Sequence, residues 1–262
     1  MKLKMYQVDA FADKLFSGNP AAVVILESSL EDLVMQSIAA ENNLSETAFV
    51  SIHESPISIR WFTPSVEVDL CGHATLASAR ILFDYYPDLA RKEINLNSKS
   101  GVLKITQVEH GLCLNFPSDQ LAAIESDPLF FEILGIQPSM LLRGKDDYLA
   151  VFESQKQIEM MQPNFSLLKK VDARGLVISA PGDEVDFVSR CFYPEAGIEE
   201  DPVTGSAHTM LTPYWANQLS KDELEAHQLS KRGGKLNCRL ENDRVYISGS
   251  SVIYFEGTIT IV

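Results

Sequence analysis

The residues best placed to do chemistry lie in two short segments of similar composition, Cys71-Gly72-His73-Ala74 and Thr204-Gly205-Ser206-Ala207. Each segment puts small and polar side chains at a junction between a strand pattern and a helix pattern. The N–H groups that open a helix lack partners within it and attract anions. Two such helix starts pointed at one cleft would bind a carboxylate group, with Ser206 adding a hydroxyl donor.

The two segments belong to a near repeat of the chain. Arg60-Trp61-Phe62-Thr63-Pro64 precedes the first segment, and Arg190-Cys191-Phe192-Tyr193-Pro194 precedes the second. The copies are separated by about half of the 262-residue chain. A repeat of this length predicts two similar domains facing each other, with a small-molecule site in the cleft between them.

Four polar side chains in or near these segments are candidates for catalysis. His73 at a helix start should be neutral, because the helix dipole disfavours the imidazolium, and it could then donate a hydrogen bond or transfer a proton. Asp201 and Ser206 have a structural alternative, which is to cap the second helix. Glu46 lies where a helix pattern gives way to a strand, and by itself a glutamate there is usually a solvated turn residue.

Other chemistries have weaker support in the sequence. Ser206, His208, His73 and Asp201 could build a hydrolase triad only if the fold assembled them, and the chain has no G-x-S-x-G motif. The five histidines are dispersed without an H-E-x-x-H motif, so no metal site is predicted. Neither G-x-G-x-x-G nor G-x-x-x-x-G-K-[ST] occurs, which gives no support for a nucleotide cofactor.

Composition limits the partners that the chain could bind. The net charge of −14 argues against nucleic acid or an anionic membrane surface, and an anionic substrate would need a local positive field. The longest apolar run, residues 20–26, is too short to span a bilayer, and the N-terminus lacks a signal-peptide pattern, which predicts a cytoplasmic protein. The four cysteines are scattered, which indicates thiols rather than disulfides or a zinc site.

The predicted strands and helices determine where the candidate residues lie in the fold. Strand patterns dominate both halves, and the charge-poor stretches after Gly72 and Gly205 each predict a buried helix enclosed by the sheet of its own half. Pro213 lies inside the second stretch and should kink or interrupt that helix. We predict an α+β protein with domains 1–118 and 119–262, whose last strand could cross back to the N-terminal half.

Seven segments spread almost end to end carry a specific resemblance: Asp9-Ala10-Phe11, Phe16-Ser17-Gly18-Asn19-Pro20-Ala21-Ala22-Val23, Asn43-Leu44-Ser45-Glu46-Thr47-Ala48-Phe49, Arg60-Trp61-Phe62-Thr63-Pro64, Cys71-Gly72-His73-Ala74-Thr75, Glu200-Asp201-Pro202-Val203-Thr204-Gly205-Ser206-Ala207-His208 and Arg232-Gly233-Gly234. In them the chain resembles the PhzF-like (phenazine biosynthesis-like) isomerases and epimerases of the diaminopimelate-epimerase fold. The resemblance implies two pseudo-symmetric halves, each a mainly antiparallel sheet or barrel rolled round a central buried helix. It also implies a homodimer and a reaction without a cofactor.

The resemblance further implies roles for individual residues. Glu46 matches the catalytic acid/base of the family, and His73, Asp201 and Ser206 match its other polar active-site positions. The implied substrate-binding positions are Gly72, Gly205, Ser45 and Thr204. The implied reaction removes a proton beside a carboxylate or a conjugated amino-ene and returns it to another carbon, with Glu46 carrying the proton both ways.

One departure from the wider superfamily bears on the type of reaction. Diaminopimelate epimerase and proline racemase relatives use two thiols, one in each half, whereas here Cys71 has Thr204 as its counterpart. A two-thiol racemase is therefore not expected, and Cys71 could be only a small buried residue. Our interpretation is an isomerase of a small carboxylated, cyclic amino acid-like metabolite. The alternatives are an amino-acid epimerase with a single carboxylate base, and a metabolite-binding or regulatory protein without turnover.

Overall fold

The computed structural model describes residues 1–125 and 127–261 of the chain. Ser126 and Val262, which fall in the predicted half 119–262, lie outside the described residues. The strands are β1 (Lys2–Ala10), β2 (Asn19–Leu26), β3 (Glu46–Ser51), β4 (Ser58–Phe62), β5 (Glu67–Val68), β6 (Glu93–Ser98), β7 (Gly101–Val108), β8 (Gly111–Pro117), β9 (Ala122–Ala123), β10 (Met140–Arg143), β11 (Asp147–Val151), β12 (Gly175–Pro181), β13 (Phe187–Tyr193), β14 (Ile198–Asp201), β15 (Glu223–Gln228), β16 (Gly234–Glu241), β17 (Arg244–Gly249) and β18 (Ser251–Thr260).

Helices are fewer than strands. They are α1 (Asp32–Asn42), α2 (Gly72–Tyr85), α3 (Pro128–Leu134), α4 (Gln155–Met160), α5 (Phe165–Leu168) and α6 (His208–Leu219), with a short 3₁₀ helix at Pro194–Ala196. The predicted α+β class is confirmed. No helix in the described part of the chain is both long enough and apolar enough to cross a membrane.

The chain folds into two compact units. Unit 1 contains Met1–Asn115 together with the chain from Ser248 onward, and unit 2 contains Phe116–Ile247. Each unit has its own apolar core. In unit 1 the side chain of Met35 on α1 packs in a cluster with Phe49 and Phe62 from the sheet. In unit 2 helices α3, α4 and α5 pack their apolar residues against β12 and β13.

The two units share one order of strand pairing. In unit 1, β1 pairs antiparallel with β2, β2 parallel with β3, β3 antiparallel with β4, and β4 parallel with β6. In unit 2, β10 pairs antiparallel with β11, β11 parallel with β12, β12 antiparallel with β13, and β13 parallel with β15. The sequence repeat therefore corresponds to a repeat of strand topology.

The repeated arginine motif forms the same ion pair in each unit. Arg60 on β4 makes two hydrogen bonds to Glu67 on β5, with N–O distances of 2.7 and 2.9 Å. Arg190 on β13 makes the matching pair with Glu200 on β14 at 2.6 and 3.0 Å. Each guanidinium also lies over the phenylalanine ring two residues further along its strand. The motif thus ties together two strands just before each predicted helix start.

Helix α2 is buried by the sheet of unit 1, as predicted. It lies against β1, β2, β3 and β18, and ten of its 14 residues are buried. The hydroxyl groups of Thr75 and Ser78 donate to the carbonyls of Cys71 and Ala74, so these buried polar groups are satisfied within the helix.

Helix α6 departs from the prediction in two ways. It begins at His208 rather than at Gly205, and it continues through Pro213 without interruption. Pro213 has no N–H group to offer the Thr209 carbonyl, which instead accepts a hydrogen bond from the backbone N–H of Asp119 at 3.1 Å. This external donor removes part of the penalty that a proline imposes inside a helix.

Gly18 in the loop between β1 and β2 provides a test of this fold. Its φ of +66° suits glycine, and a Cβ atom there would lie 2.2 Å from the Ala10 carbonyl oxygen. Gly135 has a similar φ of +70°, but a Cβ atom there would meet nothing within 4 Å. Gly135→Ala should therefore cost only the backbone strain, about 1 kcal/mol, whereas Gly18→Ala should cost about 3 kcal/mol or more.

Urea unfolding of the two variants and the wild type measures this difference directly. Equal destabilisation by the two substitutions would show that the turn before Asn19 is not packed as described.

Candidate active site

The first candidate cluster lies where β5 leads into α2. Cys71 is the N-cap residue, with extended backbone angles, and the helix begins at Gly72. The Cys71 carbonyl accepts from both the backbone N–H and the hydroxyl of Thr75, at 3.1 and 2.6 Å. These bonds fix the start of α2, so that His73 is held at the first turn of a buried helix.

Glu46 and His73 contact each other. Glu46 is the first residue of β3, and one of its carboxylate oxygens lies 3.2 Å from Nε2 of His73. The side chains are 15% and 6% exposed, respectively, so the contact is largely shielded from water. A glutamate that the sequence alone would assign to a solvated turn is thus placed against the histidine of the helix start.

The protonation state of His73 follows from its neighbours. Burial lowers the pKa of His73 to about 3, so the ring is neutral at physiological pH. The amide nitrogen of Asn19 lies 3.2 Å from Nδ1, and because that nitrogen can only donate, Nδ1 accepts. The proton is then on Nε2, which faces the Glu46 carboxylate. The ring is therefore neutral, as predicted, and its role as a donor or in proton transfer stays a prediction.

Cys71 also contacts the histidine. Its sulfur lies 3.5 Å from Nδ1 of His73, and the residue is buried. One ligand-type atom from each of Glu46, Cys71 and His73 lies within 4.8 Å of the others. Contact of this thiol with the histidine, close to the carboxylate, was not predicted from the sequence.

Local structure explains how Glu46 reaches this position. Helix α1 ends at Asn42, and Asn43 adopts a left-handed conformation whose N–H donates to the Ala39 carbonyl. The chain then turns through Ser45, which is half-buried, into β3, where Glu46 pairs with Ala21 of the parallel strand β2.

The second cluster lies where β14 leads toward α6. Asp201 is buried, and its carboxylate accepts from the hydroxyl of Thr204 at 2.5 Å. The side chain of Gln228 accepts from the Thr204 N–H at 2.9 Å and donates to the Asp201 carbonyl at 2.8 Å. Gln228 is fully buried, so these bonds fix the junction loop firmly.

Gly205 and Ser206 lie in a turn before α6 rather than in its first turn. The N–H of His208 donates to the Gly205 carbonyl and that of Thr209 to the Ser206 carbonyl, a three-residue spacing that is tighter than an α-helix. The prediction that Gly205 opens the second helix is therefore wrong. A tighter turn lies between Gly205 and the helix, and the small residues of this segment do not distinguish such a turn from the first turn of an α-helix.

Ser206 is bonded to a residue that the sequence did not single out. Its hydroxyl oxygen accepts a hydrogen bond from the Arg174 guanidinium at 3.2 Å. Arg174 also pairs with the buried carboxylate of Asp147 through two hydrogen bonds, one of them at 2.9 Å, and the Tyr193 hydroxyl donates to the same carboxylate. Asp147 and Gly175 are directly paired first residues of parallel strands. Neither Arg174 nor Asp147 belongs to a repeated sequence motif, so the sequence offered no signal for this pair.

His208 has a structural part in this junction. Its Nδ1 lies 2.8 Å from the Thr204 carbonyl, and burial lowers the pKa of His208 to about 4. The hydroxyl of Thr75 bonds the Cys71 carbonyl at the equivalent position of unit 1. The imidazole is thus directed to the backbone rather than to Ser206, which removes support for a serine-hydrolase triad.

A cavity of about 560 Å³ in unit 2 has a wall that includes Arg174. Five basic side chains line it alongside three acidic ones; the basic ones are Arg143, Lys145, Lys169, Lys170 and Arg174. In a chain with a net charge of −14 this is a local concentration of positive charge. Such a field is what an anionic ligand would need near Ser206.

The predicted site residues therefore form two clusters, one in each unit. Glu46 and His73 meet in unit 1, beside Gly72. Asp201 and Thr204 meet in unit 2, in the same junction as Gly205 and Ser206. That one substrate reaches both clusters stays a prediction.

Comparison with known proteins agrees with this arrangement. The sequence model of the phenazine biosynthesis-like protein family matches residues 8–257. The chain belongs to this family. A protein of Halalkalibacterium halodurans named as an uncharacterized isomerase is 46% identical over 255 residues, which is 96% of each chain. The family membership and the names of such relatives show that the chain is an isomerase.

Solved structures extend the family comparison to the fold. A PhzF-family phenazine biosynthesis protein from Enterococcus faecalis matches all of both chains with a TM-score of 0.96 and 44% identity. A hydroxyproline epimerase from Agrobacterium vitis matches 98% of this chain and 92% of its own with a TM-score of 0.61 and 11% identity. The second likeness concerns the fold alone, and it confirms the predicted epimerase-type architecture.

The neutral histidines predict a pH dependence of stability. The unfolded chain protonates His208 near pH 6.5, but the folded protein does so only near pH 4. Between these values the unfolded state binds more protons, so lowering the pH should decrease the free energy of unfolding by about 1.4 kcal/mol per pH unit for this group. His208→Asn keeps an N–H for the Thr204 carbonyl and removes the titration.

We expect the wild type to lose about 2 kcal/mol more than His208→Asn between pH 6.5 and pH 4.5 in urea unfolding. His110→Asn, in an exposed turn, is the matched control and should behave like the wild type. Equal losses in all three proteins would contradict the assignment of a neutral, buried His208.

Proposed function

We propose that this isomerase moves a proton on a small carboxylated metabolite, with Glu46 as the acid/base. The observation that carries the proposal is the 3.2 Å contact between the Glu46 carboxylate and the neutral ring of His73 at the start of a buried helix. A carboxylate can remove a proton from carbon and return it, provided that it is held in place and shielded from competing water.

His73 supports this role but does not itself accept or return the substrate proton. Its Nε2–H faces the Glu46 carboxylate, because Nδ1 accepts from Asn19. A neutral ring donates a hydrogen bond but does not neutralise the carboxylate, so Glu46 keeps its capacity to accept a proton. The N–H groups of the first turn of α2, starting at Gly72, would stabilise negative charge that develops on the substrate.

The cluster of unit 2 is proposed to hold the substrate carboxylate. The Ser206 oxygen accepts from Arg174, which leaves the hydroxyl hydrogen to be donated to an acceptor such as a carboxylate. Arg174 and the basic cavity beside it supply positive charge. The backbone N–H of Gly205 is proposed as a further donor to the anion, and the Thr204–Asp201 hydrogen bond holds the loop that carries it. Ser45, next to Glu46, is proposed as a further substrate contact.

The central test replaces Glu46 by glutamine. Gln matches Glu in size and can still form hydrogen bonds, but it cannot carry a carbon-bound proton. We expect Glu46→Gln to lower kcat by about 10²–10⁴-fold with ligand affinity largely kept. Glu41→Gln, on the exposed side of α1, is the matched control and should retain full turnover.

The assay incubates a panel of cyclic amino acids and conjugated amino-ene carboxylates in heavy water and follows their carbon-bound protons by NMR. Deuterium at a different carbon from the one that lost its proton indicates an isomerase, and deuterium at the same carbon with inverted configuration indicates an epimerase. Undiminished turnover by Glu46→Gln would remove this residue from the mechanism. Binding without exchange in the wild type would favour a metabolite-binding protein.

A second substitution tests the anion-binding role of Arg174. Arg174→Lys keeps a charge beside Asp147 but cannot form the forked contacts with both Asp147 and Ser206. We expect KM to rise about 10-fold while kcat changes little, because the lost contact exists before and during the reaction. Arg239→Lys, at an exposed ion pair of unit 2, is the control. A fall in kcat with KM unchanged would contradict a binding role.

A further inference from the structure

The contacts of His73 bring together three side chains that commonly bind transition metals. A carboxylate oxygen of Glu46, the sulfur of Cys71 and a ring nitrogen of His73 lie within 4.8 Å of one another. Zinc binds such atoms at about 2.0–2.3 Å, which places ligand atoms about 3–4 Å apart in a tetrahedral site. Binding therefore needs the three ligand atoms to move closer together by about 1 Å.

The chemistry of this set selects a class of ion. Mg²⁺ and Ca²⁺ prefer sites made only of oxygen, whereas a mixed nitrogen, oxygen and sulfur set suits Zn²⁺ and similar borderline-soft ions. The Glu46 carboxylate and a Cys71 thiolate together carry two negative charges, which offset those of a divalent ion. A buried site can hold the ion on these terms because no uncompensated charge remains.

Protonation and access also fit an ion. For Nε2 of His73 to bind an ion, the ring proton must move to Nδ1, and the Asn19 amide beside Nδ1 can turn to present its oxygen as the acceptor. Glu46 is the most exposed of the three side chains, so an ion would approach along its carboxylate. Three protein ligands leave a fourth position for water, as in open zinc sites.

We propose that Glu46, Cys71 and His73 form an inhibitory site for Zn²⁺ or a similar divalent transition-metal ion. Binding forms a metal–sulfur bond, and the proton of the Cys71 thiol passes to the solvent; no group is oxidised or reduced. The ion occupies the carboxylate that would otherwise move the proton, so that bound metal and turnover exclude each other. The inhibition rests on the proposed role of Glu46, whereas the binding does not.

Cobalt(II) is the probe that tests binding without any substrate. The full chain, freed of metal by a chelator and kept reduced, is titrated with Co²⁺ in deaerated buffer. We expect one ion per chain, a near-ultraviolet charge-transfer band from thiolate to cobalt, visible bands of a four-coordinate ion, and loss of all bands on adding Zn²⁺.

Variants assign the ligands. Cys71→Ser should abolish the charge-transfer band, and Glu46→Gln should weaken Co²⁺ binding by about 100-fold or more, since even outer-shell changes cost 10–100-fold. Cys113→Ser and Cys238→Ser, which change cysteines elsewhere in the chain, should bind Co²⁺ like the wild type. A wild type without the thiolate band, or a band that survives in Cys71→Ser, overturns the proposal.

Activity measurements distinguish a failure of the metal-site proposal from a failure of the proposed function. Cys71→Ser should keep most of the activity, because Thr204 at the equivalent position leaves no partner thiol, and it should resist Zn²⁺ at concentrations that inhibit the wild type. Co²⁺ binding with Glu46→Gln fully active would refute the catalytic role alone. Absence of Co²⁺ binding with Glu46→Gln inactive would refute the metal site alone.

Discussion

The paired arginine and glutamate of each unit are the interaction on which both candidate clusters depend. Glu67 and Glu200 each lie five residues before the glycine of the following junction, and each is bound through two hydrogen bonds by the arginine of the neighbouring strand. Half-buried pairs of this kind contribute little free energy of unfolding. Their effect is geometric, because they fix the point at which the chain leaves the sheet for the helix.

Beyond that point, the buried helices limit the chemistry that each junction can carry. A helix enclosed by its own sheet cannot present a charged group along its length, so its polar side chains bond to their own backbone, as Thr75 does at the Cys71 carbonyl. His208 does the same at Thr204, and burial lowers the pKa of both junction histidines. Charged side chains reach the junctions from the strands beside the helices, through Glu46 in unit 1 and through Asp201 and Arg174 in unit 2.

The sequence predicts most of this frame and only part of the site. The near repeat predicts two similar folds and two junctions, and the family resemblance identifies Glu46 and His73 as partners. The sequence does not predict the Arg174–Asp147 pair, because these side chains meet only through the pairing of two parallel strands and neither belongs to a repeated motif. It also misplaces the start of α6, since the hydrogen-bond spacing that separates a tight turn from an α-helix depends on backbone geometry.

A comparison of equivalent positions explains why unit 1 has a glutamate beside its junction whereas unit 2 does not. By strand register, Glu46 corresponds to Gly175, because each lies one residue before the partner of an equivalent phenylalanine. A Cβ atom at Gly175 would lie 2.2 Å from the ring of Tyr193, whose hydroxyl donates to Asp147. Unit 2 therefore has no room for a second carboxylate at this position and uses the space to hold Arg174 in place. The proposed division into one base in unit 1 and one anion-binding junction in unit 2, rather than two opposed bases, fits a reaction in which a single carboxylate both removes the proton and returns it.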